Sequence, residues 1–131
     1  MEKYTQKQFD RFERDEYGYK VCPAGDYSKI KSFDDKCIFA AGSHFGSSCI
    51  FGDDCHFGDG CEFEGKSYFG VACEFCEGCS FGGECNFANS CTFETDCIFG
   101  SWNVFGERCS FGSRCIFDKD CFFKKYCYFD E

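Results

Sequence analysis

The sequence predicts an all-β parallel β-helix: a triangular solenoid with eighteen residues per coil and a short N-terminal α-helical cap. Three observations predict it. Phenylalanine recurs every sixth residue from Phe33 to Phe129, seventeen times without a miss. A second row of small residues, from Cys37 to Cys127, sits two places before each ring; it is cysteine except at Ser43, Ser67 and Asn103. Glycine often follows the ring, as at Gly46, Gly52, Gly58, Gly70 and Gly82, giving the consensus Phe-Gly-x-x-Cys-x. A fixed period of this kind is the signature of stacked repeats.

Side-chain direction turns the period into elements. Residues two apart on a strand share a face. In Cys55-His56-Phe57 the thiol and the ring therefore point inward and His56 points outward. The pair after each glycine, such as Asp53-Asp54 or Asp59-Gly60, is polar or small and suits a turn. Each hexad is one short strand and one corner. Three of them close a coil, and coils stack about 4.8 Å apart through parallel strand hydrogen bonds. The solenoid occupies residues 33–131, and residues 1–32 form an N-terminal helix and irregular capping segment. Thr5-Gln6-Lys7-Gln8 has the form of a capping box, and Phe9, Phe12 and Glu16 predict an amphipathic helix over 5–16. Tyr17-Gly18 ends it. Tyr19 to Cys22 reads as a strand, broken by Pro23 and Gly25. Val21 and Tyr27 fall in phase with the phenylalanine row, so the first coil begins near residue 20. The helix is expected to cover one open end of the rod. The coil ending at Phe129-Asp130-Glu131 is expected to be buried against a partner or another copy.

Phe-Gly-x-x-Cys-x resembles the hexapeptide motif of left-handed parallel β-helices, in which a bulky apolar residue, glycine and a small residue recur. The resemblance covers 33–131 and implies the left hand; parallel crossovers are otherwise right-handed. This chain uses Phe and Cys where that class has aliphatic and small residues, a large ring beside a small thiol conserving core volume. It also resembles small phage-encoded accessory proteins of Phe/Cys-rich type. Pentapeptide repeats and nine-residue calcium-binding repeats do not fit the period.

Fifteen cysteines would ordinarily point to disulfides or metal. Thirteen lie in the inward row, which distributes single thiols around and along a rod, whereas a zinc site converges four ligands on one point. They are read as reduced, structural residues in a reducing cytoplasm, the host cytoplasm if the protein is phage-encoded. An aromatic content of 21% argues against disorder, and no apolar run has the length of a membrane span or a signal peptide.

With the interior filled, function is expected outside. Stepping eighteen residues sorts the outward positions into three rows: Ser32, Ile50, Tyr68, Asn86, Val104, Phe122; Ile38, His56, Glu74, Thr92, Ser110, Tyr128; and His44, Glu62, Ser80, Ile98, Ile116. The first row is the most apolar and Trp102 lies at the corner leading into it. Ile50, Tyr68, Trp102, Val104 and Phe122, with Tyr126 and Tyr128 at the open end, are the expected oligomer or partner interface. Charge is uneven. Residues 49–98 carry ten acidic groups (Asp53, Asp54, Asp59, Glu62, Glu64, Glu74, Glu77, Glu84, Glu94 and Asp96) against Lys66 alone, so the whole net charge of −9 sits there. That field disfavours nucleic acid and anionic membranes and favours a basic partner. The expectation is a non-enzymatic acidic binding protein, a homodimer or homotrimer, that mimics nucleic acid and blocks a basic nucleic-acid-binding host or defence protein. No cofactor or metal is expected.

Two other functions compete. Left-handed β-helix proteins are commonly trimeric acyltransferases, which need a histidine base and a loop projecting from the coils. Here the period never breaks, and His44 and His56 are the only histidines, on different rows. Carbonic-anhydrase-like chemistry would need three zinc histidines. A protein that sequesters a small ligand at subunit junctions is the other alternative. Ice binding would want Thr-x-Thr arrays, and threonine occurs only at Thr5, Thr92 and Thr95.

Overall fold

Each Cys-x-Phe triplet is extended, and in the computed structural model, which describes residues 1–130, these segments stack into three parallel sheets. The first sheet contains Lys20–Cys22, Cys37–Phe39, His56–Phe57, Glu74–Phe75, Thr92–Phe93, Ser110–Phe111 and Tyr128–Phe129. The second contains His44–Ser47, Glu62–Gly65, Ser80–Phe81, Ile98–Phe99 and Ile116–Phe117. The third contains Tyr68–Phe69, Asn86–Phe87, Val104–Phe105 and Phe122–Phe123, and bridges at Ser32, Ile50 and Tyr68 extend it. Partners lie eighteen residues apart, His56 opposite Glu74 and Phe57 opposite Phe75. The result is a β-solenoid of about six coils, and its three sheets coincide with the three outward rows read from the sequence.

The core is three columns of rings. Within a column the planes are nearly parallel: Phe57 and Phe75 have centroids 4.8 Å apart and planes 2° apart. Between columns the rings meet edge to face, as Phe57 and Phe63 do at 5.1 Å and 79°. Both geometries suit the aromatic quadrupole. From Phe33 to Phe111 every ring of the row is buried.

The corners carry backbone strain throughout. The residue before each small-row position has positive φ, and thirteen such residues, Asp54, Ala72, Glu84 and Trp102 among them, are not glycine. A left-handed L-residue costs on the order of 1 kcal/mol, offset here by a hydrogen bond to the next coil: the Asp54 amide donates to the Val71 carbonyl at 2.9 Å and the Glu84 amide to Ser101 at 3.0 Å. Glycine after the ring serves close approach instead. A Cβ on Gly82 would collide with the Glu64 carbonyl oxygen of the preceding coil.

Buried thiols complete the polar pairing. Cys73, Cys79 and Cys91 each donate through Sγ to a carbonyl twenty-one residues back, on Gly52, Gly58 and Gly70, at 3.4 Å. Ser67 and Asn103 also donate to carbonyls, on Gly65 and Gly100, and in addition accept from backbone amides, Cys49 donating to Ser67 Oγ at 3.1 Å and Cys85 to Asn103 Oδ1 at 2.7 Å. All fifteen cysteines are free. Burial pushes the Cys85 thiol up to about 11, so it is neutral.

The N-terminal segment differs from expectation in two places. The helix is α1, Gln6–Asp10, with the Thr5/Gln8 capping box intact, and it stops well short of residue 16. Phe9 explains the early stop. It is fully buried, stacked parallel on Phe39 at 6.4 Å and edge-on to Phe33 at 5.1 Å, and Arg14 then pairs antiparallel with Lys20. Val21 is not in phase with the rings: it lies opposite Ile38 and is 53% exposed. The pairing of Lys20 with Cys37 is one residue shorter than the regular register, which moves Val21 outward and Cys22 inward. Tyr27 is in phase and stacks between Tyr4 and Phe45. Lys20 latches the cap, its buried Nζ lying 2.9 Å from Asp34 and 4.3 Å from the Phe9 ring centroid. Among the described residues no helix is long and apolar enough to cross a membrane.

Phe75 has a stacked ring on both sides, whereas Phe129 is 46% exposed. Phe75→Ala should therefore cost about 3–5 kcal/mol in a denaturant melt, and Phe129→Ala clearly less. Equal losses would show that the ring columns do not carry stability as described.

Candidate interaction surface

The ten acidic residues of the middle coils are all exposed or half-buried, but they are not one population. Two act on the backbone. Asp53 Oδ1 accepts from the Val71 amide at 2.8 Å and Asp59 Oδ1 from the Glu77 amide at 3.1 Å, each stapling one coil to the next. Asn89 does the same for the Glu107 amide at 2.8 Å, so the staple needs a side-chain carbonyl oxygen rather than a charge. Asp54 accepts from the Tyr19 hydroxyl at 2.7 Å and lies 3.2 Å from His56 Nε2. Asp96 receives a two-pronged bond from Arg114, at 2.9 and 3.1 Å, which holds its carboxyl below the usual range. Glu62 lies 3.8 Å from His44 and Glu74 lies 3.9 Å from His56.

Glu64, Glu77, Glu84 and Glu94 are exposed, and none makes a hydrogen bond or ion pair through its carboxylate among the described residues. Glu64 lies near the end of the strand Glu62–Gly65 of the second sheet, and Glu84 stands on the corner between the second and third sheets. Glu77 and Glu94 stand on the corner between the first and second, beside Asp59 and Asp96, with Glu62 and Glu74 on the flanking strands. The register thus gathers six of the ten acids along one edge of the rod, a grouping that linear order conceals.

The expected apolar stripe is present on the third sheet. Ile50, Tyr68 and Phe122 are 56%, 57% and 60% exposed, Val104 is half-buried, and Asn86 interrupts them. Trp102 is 61% exposed at the adjoining corner, where its neighbours in the column are Glu84 and Asp120. Tyr126 and Tyr128 belong to the last coil, where the outward residues of all three sheets, Ile116, Phe122 and Tyr128, are apolar. Ile116 and Ile98 are exposed and were absent from the sequence-derived set; their signal is apolar outward residues in successive coils of the second sheet.

His44 and His56 project from different sheets, each beside carboxylates. No family model, curated protein or solved structure matches this chain. The interaction surface is therefore read from its own chemistry.

Two outcomes follow. Asp59→Asn should keep the coil staple and leave stability within about 0.5 kcal/mol, whereas Asp59→Ala should lose about 1 kcal/mol; equal melts for the two variants would show that the staple carries nothing. Cys76 lies outside the inward row, half-buried, and partial burial followed by the Glu94 and Asp59 carboxylates pushes its thiol up to about 11. The thiolate is the nucleophile, so Cys76 alkylation by iodoacetamide, followed by peptide mass spectrometry, should keep accelerating with pH toward 11. A plateau near pH 9 would contradict that environment.

Proposed function

We propose that this chain is a non-catalytic binding protein that presents the carboxylates of its middle coils to a basic protein. The observation that carries this reading is the acidic excess of residues 49–98 on a rod whose interior is filled, with four of those carboxylates making no hydrogen bond or ion pair among the described residues. Its linear density supports a finer form. At about 4.8 Å per coil these fifty residues occupy roughly 13 Å of axis. Their net −9 then falls at roughly one charge per 1.5 Å, against about 1.7 Å for duplex DNA. A rod of that charge density competes for proteins that grip nucleic acid by its phosphates. In this form the protein blocks a basic host or defence factor, as a small phage-encoded accessory protein would.

The test uses the whole chain as bait beside a variant with Glu64, Glu77, Glu84 and Glu94 all changed to Gln. Asp53 and Asp59 are left alone because they staple the coils. The partner retained by the native chain should be lost to the variant and displaced by added duplex DNA. A partner retained equally by both would sink the acidic reading, and one indifferent to DNA would sink the mimicry.

A further inference from the structure

Tyr68, Glu84, Asn86 and Trp102 line one open recess of about 520 Å³ on the third sheet. Tyr68 and Asn86 come from adjacent strands of that sheet, and Glu84 and Trp102 from the left-handed corner that leads into it, so the solenoid register alone brings them together. Both aromatic side chains are more than half exposed. Glu84 has no internal partner among the described residues, and Lys66, the one cation of the middle coils, forms no ion pair with it. A carboxylate beside two exposed aromatic side chains and a side-chain amide lacks one complementary component, a flat cation.

We propose that this recess is the anchor point for an arginine side chain of the basic partner. The inference rests on the function proposed above and names the contact. A guanidinium can stack on the indole or phenol face while directing its fork of N–H donors at the Glu84 carboxylate, with the Asn86 carbonyl oxygen as a further acceptor. Lysine offers a point charge and no plane, so the recess prefers arginine. Trp, Tyr and Arg dominate the energetics of protein interfaces, and the surrounding acidic coils supply the attraction that brings a basic segment to the recess. The rigid parallel sheet holds the four side chains in place before binding, which lowers the entropic cost of association.

Trp102 is the chain's single tryptophan, so its fluorescence reports this recess alone. The intact protein is titrated with nona-arginine, nona-lysine and an uncharged Gly-Ser peptide, following fluorescence and calorimetry in parallel. Nona-arginine should give a saturable Trp102 change. Glu84→Gln should weaken it by about tenfold, and Tyr68→Ala should weaken it by about fivefold, with circular dichroism unchanged because both side chains point outward. Nona-lysine should bind about fivefold more weakly than nona-arginine. Calorimetric binding of nona-arginine with a silent Trp102, or with full affinity in Glu84→Gln, overturns the recess and leaves the basic-partner reading standing. Equal affinity for the two cationic peptides overturns the assignment to arginine. Absence of calorimetric binding by either overturns both readings.

Discussion

Parallel strands repeat at about 4.8 Å, and a phenyl ring stacked on its copy finds a favourable offset geometry at that same spacing. The match governs this molecule. Phe57, Phe75 and Phe93 stack at 4.8 Å because the backbone ladder sets the rise, and the ladder keeps its register because a slip would unstack every column. An inserted loop would have to leave and rejoin without disturbing the rings, and the unbroken period from Phe33 to Phe129 contains none. The N-terminal segment obeys the same constraint by other means. Tyr4 and Tyr27 extend one column, and Phe9 takes the place above Phe39 that a regular coil would have filled.

A core this aromatic leaves the backbone at the corners short of partners, and cysteine resolves the shortage. A thiol is small enough to sit beside a ring, apolar enough to be buried, and still a weak donor. Most inward cysteines thus reach a carbonyl of the preceding coil, as Cys73 reaches Gly52, whereas Cys85 reaches Gly82 of its own. Serine and asparagine enter the row where an amide needs an acceptor, as at Cys49 and Cys85. At the outer edge the same problem is met by Asp53, Asp59 and Asn89. Part of the acidic excess is therefore structural in origin, and charge at those positions cannot be altered without considering the staple.

Function is left to what the coils do not use. Glu64, Glu77, Glu84 and Glu94 face solvent with no hydrogen bond or ion pair through their carboxylates among the described residues, and Tyr68 and Trp102 stand beside Glu84. Both features ride on a scaffold with little freedom to rearrange, which suits recognition of a charged surface by preorganised groups. The basic residues of the last coils, Arg108, Arg114, Lys119, Lys124 and Lys125, are balanced by equal acid there, so the field belongs to the middle of the rod.

Period and polarity alone determined the coil length, the inward Cys and Phe rows, the three outward rows and the Thr5 capping box. All of these depend on side-chain alternation and local geometry, which a linear sequence displays directly. The solenoid's start was not legible in the same way. Val21 keeps the six-residue phase, yet a coil one residue short turns it outward, and only the pairing of Lys20 with Cys37 records that. Helix α1 ends early because Phe9 is drawn into the core, a tertiary demand that its own neighbours do not announce. Nor could the sequence divide the ten acids into coil staples, ion pairs and unpaired carboxylates, or place Trp102 beside Tyr68, thirty-four residues away. Those distinctions depend on what lies in neighbouring coils, and stacking brings residues eighteen apart into contact, and residues thirty-four apart to one recess, only once the rod has closed.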